Sequence, residues 1–140
     1  MDSSMCVVLG SHINAYGILK ELDFFGLESS LVYSSISISC FSNIPKFKYR
    51  IENNSEDLQA ALVAIYKKFG CRLVIYPTDD LQLEMIDELS DKIADFCYIP
   101  FNTNVGYALN KSNQYDCCDR IGVPYPKSTT IDVNNLDISK

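Results

Sequence analysis

The sequence predicts an α/β fold in which helices cover both faces of a parallel β-sheet. Short continuous apolar runs, which are typical of strands buried on both faces, alternate with stretches whose apolar residues recur at helical spacing. Strands and helices that alternate in this way form βαβ units, because parallel strands need crossover connections. We therefore predict a three-layer, Rossmann-like parallel sheet that includes the strands Cys6–Leu9, Ser30–Tyr33, Leu73–Tyr76 and Phe96–Ile99.

The first unit consists of a strand, a turn and a helix. The apolar run Cys6–Leu9 is followed by Asn14, a residue type that commonly caps helices. Apolar residues then recur at helical spacing from Ala15 to Phe25, and Gly26 is suited to a left-handed helix end. We expect Asn14 to cap this helix and Gly26 to end it.

The middle of the chain contains one ambiguous stretch and one clear helix. Residues 34–43 are rich in serine and alternate serine with isoleucine, so they fit either a strand edge or a loop. Residues 47–51 read as another short strand. The amphipathic stretch that follows begins at Asn54 or Ser55 and ends at Gly70, and it is the clearest helix of the sequence.

Thr78, Asp79 and Asp80 follow the strand Leu73–Tyr76 and have two interpretations. Two adjacent carboxylates could form a metal site or an acid/base pair. Alternatively, Thr78 caps the next helix and the two acids complement the helix dipole, which explains all three residues. We favour the capping interpretation and predict no metal site.

The loops after the strands are where we expect ligand contacts, because the carboxyl ends of parallel strands meet at one edge of the sheet. The predicted loops at this edge are Gly10–Asn14, Ser34–Ser42, Pro77–Asp80 and Pro100–Asn104.

The loop after the first strand joins that strand to a helix N-terminus, whose free N–H groups can bind an anion. Its sequence is not the dinucleotide motif G-x-G-x-x-G, because Ser11 and His12 follow Gly10. The second strand also ends without an acid that could hold a ribose, so NAD binding is disfavoured. A simple turn capped by Asn14 explains the loop equally well. His12 is the only histidine. A surface loop position is a simpler interpretation of this residue than a ligand contact.

Composition and charge exclude several classes of partner. The chain has 140 residues and a net charge of -6, with no basic stripe, so we expect no nucleic-acid partner. No apolar run is long enough to span a membrane, and the N-terminus lacks the features of a signal peptide. We therefore expect a cytoplasmic protein that does not contact a membrane.

The six cysteines show neither a disulfide framework nor a zinc pattern. Cys6 and Cys71 lie in apolar runs, Cys117 and Cys118 are adjacent, and no pair has C-x-x-C spacing. One histidine and unpatterned cysteines are too few ligands for zinc. We expect reduced, mostly buried thiols.

The C-terminal part of the sequence carries a motif of a known family. Asn110-Lys111 is followed by Tyr115 and then by Gly122-Val123-Pro124-Tyr125-Pro126-Lys127-Ser128-Thr129. This segment resembles the entry of the ATP-grasp superfamily, in which a lysine opens a helix and a Gly-[Ile/Val]-Pro-x-Pro-x-[Ser/Thr] motif follows that helix.

Two further segments are similar to the same superfamily. The first is Pro77-Thr78-Asp79-Asp80, which resembles a strand ending in Pro-[Thr/Ser]-x-Asp. The second resembles the opening of the amino-acid ligase branch and consists of Val8-Leu9-Gly10 with Asn14-Ala15-Tyr16-Gly17-Ile18 and Leu22. That branch includes D-aspartate-ligase-like proteins, and the large subunit of carbamoyl-phosphate synthase is a more distant relative. The chain departs from the family at Asn110, where aspartate is usual, and at Lys20, where arginine is common.

The resemblance implies a domain division and a reaction. Residues 1–109 would form a pre-ATP-grasp domain, and residues 110–140 the entry segment of a truncated ATP-grasp domain. The parent protein would be a carboxylate-amine ligase that uses ATP and magnesium and forms an acyl phosphate. Its partners would be a small-molecule carboxylate and an amine, and a homodimer is compatible with the family.

The resemblance also implies where the site residues lie. Lys111 would contact the nucleotide phosphates, and the loop with Gly10, Ser11, His12 and Asn14 would face the substrate. The catalytic and magnesium-binding residues would follow Lys140, so we expect these 140 residues to be inactive and to bind no cofactor tightly. The alternative is a stand-alone flavodoxin-like or receiver-like binding module.

Overall fold

A sheet of five parallel strands forms the centre of the N-terminal part of the described chain. The computed structural model describes residues 4–99, 105 and 109–127. The strands are β1 (Ser4–Leu9), β2 (Ser29–Tyr33), β3 (Phe47–Arg50), β4 (Arg72–Tyr76) and β5 (Cys97–Tyr98). The chain divides into two compact units, Met1–Gly106 and Tyr107–Lys140, and the sheet belongs to the first.

The order of the strands distinguishes between the two folds considered from the sequence. The sheet runs β3-β2-β1-β4-β5, which is the order of Rossmann-like folds. Flavodoxin-like and receiver-like domains instead place their third strand beside the first. The Rossmann-like prediction is therefore confirmed, and the fold of the alternative module is excluded.

Helices cover both faces of this sheet, as predicted. They are α1 (Ile13–Phe24), α2 (Ser55–Phe69) and α3 (Asp80–Ile93). α1 packs Ala15, Leu19 and Leu22 against one face, whereas α2 and α3 pack on the opposite face around Leu62 and Ile86. β1 contributes to both cores, because its alternate side chains point to opposite faces.

The ambiguous serine-rich stretch is a loop that contains a short 3₁₀ helix, Ile38–Phe41. Its serine–isoleucine alternation resembles an edge strand, but the chain here leaves the sheet and returns to it at β3. Ser39, inside the 3₁₀ helix, is completely buried. The loop is therefore an ordered part of the first unit, fastened by bonds that the sequence pattern does not reveal.

The helix ends correct two of the predicted caps. α2 is capped by Asn54 and ends at Gly70 in the left-handed conformation, as expected. α1 begins at Ile13 with His12 in the cap position, so Asn14 lies inside the first turn and is not the cap. α3 is capped by Asp79 instead of Thr78.

All six cysteines are free in the structure. Only Cys6 and Cys97 are buried, so the expectation that most of them are buried was wrong. Burial raises the pKa of Cys97 from 9.0 to about 12, and nearby Arg72 opposes this shift. Burial also raises the pKa of Cys6, against a hydrogen bond from Tyr76 that lowers it. Both buried thiols are therefore protonated at neutral pH.

The second unit contains the helix α4 (Lys111–Ile121), which buries none of its side chains. Gly122 ends it in the left-handed conformation, and the proline-containing segment after it folds back toward the helix. Tyr125 stacks on Tyr115 with ring centroids 4.6 Å apart, and its hydroxyl donates to Asp119 Oδ2 over 3.0 Å. This hydrogen bond raises the pKa of Tyr125.

Within residues 4–99, 105 and 109–127, no helix has the length and apolar character that crossing a membrane requires.

Candidate functional site

Three of the four predicted loops lie at the carboxyl edge of the sheet, where β1, β2 and β4 end. The chain passes from β1 outward to β2 and β3, and then crosses back to place β4 on the other side of β1. The strand order reverses between β1 and β4, and ligands of open α/β sheets usually bind at such a point. The fourth predicted loop, 100–104, lies outside the described residues.

The carboxyl ends of β1 and β4 are joined by a cluster of hydrogen bonds around Thr78. The Thr78 hydroxyl donates to the carbonyl of Leu9 over 2.7 Å, which joins the ends of the two strands. The Thr78 N–H donates to Gln82 Oε1 over 2.7 Å, and Gln82 Nε2 donates to Asp79 Oδ2 over 2.8 Å. We call Thr78, Asp79 and Gln82 the latch.

Gly10 lies directly against this latch. Its φ of 101° is in the region that side chains disfavour, and a Cβ added there would lie 2.3 Å from Thr78 Oγ1 and 2.8 Å from Gln82 Nε2. A side chain at position 10 would therefore collide with the latch, which gives a physical reason for glycine at this position.

Asp79 and Asp80 occupy different positions at the start of α3. Asp79 Oδ1 accepts from the N–H of Gln82 over 2.9 Å and its other oxygen accepts from the Gln82 side chain, while Asp80 lies in the first turn of α3. Among the residues that the structure describes, no group of three or more histidine, cysteine or acidic side chains could hold a metal ion. Asp79 is thus the cap of α3, where the sequence interpretation placed Thr78, and Asp80 lies in the first turn, where its charge favours the helix dipole.

The loop Gly10–Asn14 is joined to the β2–β3 loop by serine residues. Ser11 is 1% exposed, and its hydroxyl lies 3.3 Å from that of Ser35. Ser39 donates its N–H to the carbonyl of Ser11 and its hydroxyl to the carbonyl of His12, each over 3.0 Å. The first two predicted loops, after β1 and after β2, are therefore joined to each other by hydrogen bonds.

His12 and Asn14 are exposed above this buried serine layer. α1 begins without a side-chain cap and has no acidic residue in its first turn. The first N–H groups of a helix have no partner inside it, so this helix start keeps polar donors available on the same edge as His12. The structure thus brings Gly10, Ser11, His12 and Asn14 together, with Gly10 and Ser11 buried.

Two helix caps of this unit allow a matched test of what His12 contributes to stability. Asn54 Oδ1 accepts from the N–H of Asp57 over 2.8 Å, so Asn54→Ala should lower the free energy of unfolding by about 1 kcal/mol. His12 occupies the same position of α1 without a side-chain cap, so His12→Ala should change that energy by less than about 0.5 kcal/mol. Urea unfolding followed by circular dichroism measures both. Equal losses would mean that His12 has a structural role.

Beside Gly10, on the face covered by α2 and α3, the described residues leave only a narrow crevice. Tyr33, Asn53, Gln82 and Met85 contribute to its walls, and its volume of about 10 Å³ is about that of a single water site. A wider open groove of about 500 Å³ between the starts of α2 and α3 is lined by acids that include Glu56, Glu84 and Glu88. Neither space has the shape and charge of a nucleotide site.

Lys111 belongs to the second unit and is the first residue of α4. It is exposed, and Asn110 before it caps the helix by accepting from the N–H of Ser112 over 2.9 Å. The N-terminus of a helix carries a partial positive charge, which repels the positive charge of a lysine. The fold therefore does not favour a lysine at this position. Ser128 and Thr129, the end of the predicted motif, lie outside the described residues.

The sequence interpretation missed Ser39 and Gln82. For Gln82 a signal existed, because Asp79 and a glutamine three residues later form the pattern of a capping box. For Ser39 there was none, since the residue is one of several serines in the stretch and only the folded chain shows which one is buried.

Comparison with known proteins identifies the fold further. No protein-family model matches the sequence, and no curated protein matches it. Among solved structures, the crystal structure of an L-amino acid ligase from Bacillus licheniformis is similar, with a TM-score of 0.68 at 12% sequence identity. The chain shares its fold with part of that ligase. The matched region covers 90% of this chain and 32% of the ligase chain, so this chain spans about a third of the ligase's length.

Proposed function

We propose that this chain is the Rossmann-like, substrate-side domain of an ATP-dependent carboxylate-amine ligase of the ATP-grasp type. The observation that carries the proposal is the fold shared with an L-amino acid ligase over 90% of the chain. The order of the three sequence segments that resemble the superfamily supports the proposal independently, because that resemblance depends on residue types and spacing and not on the fold. The D-aspartate-ligase-like branch is the finer assignment that we propose, with carbamoyl-phosphate synthase as a distant relative.

The reaction we propose has two steps. A substrate carboxylate oxygen takes the γ-phosphoryl group of ATP, giving an acyl phosphate and ADP. The nitrogen of an amine then attacks the acyl carbon, the C–O bond to phosphate breaks, and the nitrogen loses a proton. A small-molecule carboxylate and an amine are therefore the partners of the parent ligase, and its homodimeric state and cytoplasmic location remain predictions.

The residues of this chain would have two roles in that ligase. Lys111 would place a positive charge against the phosphates of ATP, as lysine does in many phosphate sites. Gly10, Ser11, His12 and Asn14 would face the carboxylate substrate, since they lie together at the carboxyl edge of the sheet. The described residues provide no cluster of acids suited to magnesium, so its ligands would come from other parts of the ligase.

The proposal is tested by the open reading frame that contains this sequence. We expect it to continue with a lysine-containing strand and, further on, with acidic magnesium ligands. The encoded protein should release ADP from ATP only when an amino acid or another carboxylate and an amine are present. ADP release that ignores both substrates, or a frame that stops at residue 140, would contradict the proposal.

The 140 residues alone should bind ATP weakly or not at all and should hydrolyse none. Lys111 is the only phosphate contact that we propose here, and a single exposed charge contributes little in water. Calorimetric titration with magnesium and ATP measures this directly. Micromolar affinity would place the nucleotide site in this chain, and repeating the titration with Lys111→Ala would show whether Lys111 forms it.

A further inference from the structure

We infer that Ser39 is the positioning residue of the loop Gly10–Asn14, which sets the directions of the polar groups that this loop offers to a substrate. The inference rests on the proposed function for the identity of the substrate, a carboxylate. The claim that Ser39 orients the loop rests only on the contacts of Ser39. The role of Ser39 and the identity of the substrate can therefore be tested separately.

Ser39 donates hydrogen bonds to two consecutive peptide groups of the loop. Its N–H donates to the carbonyl of Ser11 and its hydroxyl to the carbonyl of His12, each over 3.0 Å. The residue is 0% exposed, so its own donor groups are shielded from water. The carbonyl of His12 also accepts from the N–H of Tyr16 over 3.1 Å, which is the first bond of α1. Ser39 thus holds the loop at the point where the helix begins.

Fixing two carbonyls also fixes two N–H groups. A trans peptide is planar, and its C=O and N–H point in opposite directions. The carbonyls of Ser11 and His12 point at Ser39, so the N–H groups of His12 and Ile13 in the same two peptides point away from it. The directions of these two N–H donors on the exposed side of the loop are therefore set by the hydrogen bonds of the buried Ser39.

The base from which Ser39 acts is itself anchored to the sheet. Lys48 on β3 donates from Nζ to the carbonyl of Cys40 over 2.9 Å, directly after Ser39. The contact of 3.3 Å between the hydroxyls of Ser11 and Ser35 adds a second link between the two loops. Ser39 consequently connects the loop to the sheet through hydrogen bonds, although the outer residues of the loop, His12 and Asn14, are exposed.

The first experiment uses the 140-residue chain and needs no substrate. Ser39→Ala removes the hydroxyl, while the carbonyl of His12 keeps its bond from Tyr16, so the variant should fold. Backbone NMR relaxation should show order parameters of His12, Ile13 and Asn14 falling from about 0.85 toward 0.6 or below, while those of α2 stay unchanged. Ser37→Ala is the matched control, since Ser37 lies in the same loop and makes no side-chain cap bond. Unchanged order parameters in Ser39→Ala would overturn the inference.

The second experiment uses the parent ligase and amino-acid-dependent ADP release. Ser39→Ala should raise the KM for the carboxylate substrate about threefold to tenfold, in line with the loss of one hydrogen bond, and should leave the KM for ATP unchanged. Ser39→Thr, which keeps the hydroxyl, should restore most of the loss. An equal rise in both KM values would contradict a positioning role. A wild-type ligase without substrate-dependent ADP release would sink the proposed function and leave the NMR result to decide the role of Ser39.

Discussion

Replacing Gly10 with alanine is expected to lower the free energy of unfolding by roughly 2–5 kcal/mol. The positive φ of 101° disfavours any side chain, and the new methyl group would lie 2.3 Å from Thr78 Oγ1. The bond from Thr78 to the carbonyl of Leu9 would have to break or shift to admit it. Urea unfolding followed by circular dichroism of the 140-residue chain gives the change directly.

Gly17→Ala is the matched control for this variant. Gly17 lies inside α1, and a Cβ added there would meet nothing within 4 Å. Alanine in a helix interior should stabilise the protein by about 0.5–1 kcal/mol relative to glycine. The two changes are chemically identical and should have opposite signs. A loss below about 1 kcal/mol for Gly10→Ala would mean that the latch can move aside to admit a side chain.

The second large effect concerns Lys111 in the ligase that we propose. Lys111→Ala would remove one charge-assisted contact to the phosphates of ATP. Such hydrogen bonds contribute roughly 1.5–3 kcal/mol, so nucleotide affinity or turnover should fall on the order of tenfold to a hundredfold. The melting temperature should hardly change, because Lys111 is exposed at the start of a helix that buries none of its side chains.

Asn110→Asp is the control for Lys111→Ala. It introduces the residue that is commoner in the superfamily, and a carboxylate can still accept from the N–H of Ser112 as Asn110 does. A negative charge at a helix start is also favourable, so neither folding nor kinetics should suffer. Steady-state kinetics against ATP for the wild type and both variants provide the measurement. Wild-type kinetics for Lys111→Ala would mean that the motif resemblance at this position is structural only.

The strands were predictable because each depends mainly on its own composition. β1, β2 and β4 lie within two residues of the runs that predict them, since strands buried on both faces are mostly apolar. β5 is shorter than its run Phe96–Ile99 and comprises only Cys97–Tyr98. It pairs with β4 alone among the described strands, so its limits depend on its single neighbour and not on its own residues.

The incorrectly predicted caps show where local reasoning stops. Asn14 and Thr78 are both residue types that cap helices, but neither does so here. The hydroxyl of Thr78 bonds instead to the carbonyl of Leu9, which belongs to a strand far away in the sequence. Asp79 is then the residue left to cap α3. A tertiary contact thus decided which of two adjacent capping residues occupies the cap.

The candidate site divides in the same way. Its position at the carboxyl edge of the sheet followed from the alternation of strands and helices, because that edge is common to all parallel sheets. The burial of Ser11 and Ser39 did not follow, since serine is usually exposed and nothing in the stretch 34–43 distinguishes one serine from the next. The exposed residues His12 and Asn14 were predictable, and the buried ones that support them were not.

The central place of β1 has a consequence for synthesis of the chain. Among the described strands β1 comes first along the chain, yet it is paired on both edges. One of those edges pairs with β4, where Ser4 lies opposite Arg72 and Val8 opposite Tyr76. Pairing between such distant segments is slow, because a long loop must close first. Until β4 emerges, the nascent chain carries an open apolar strand edge, which is the kind of edge on which incomplete chains aggregate.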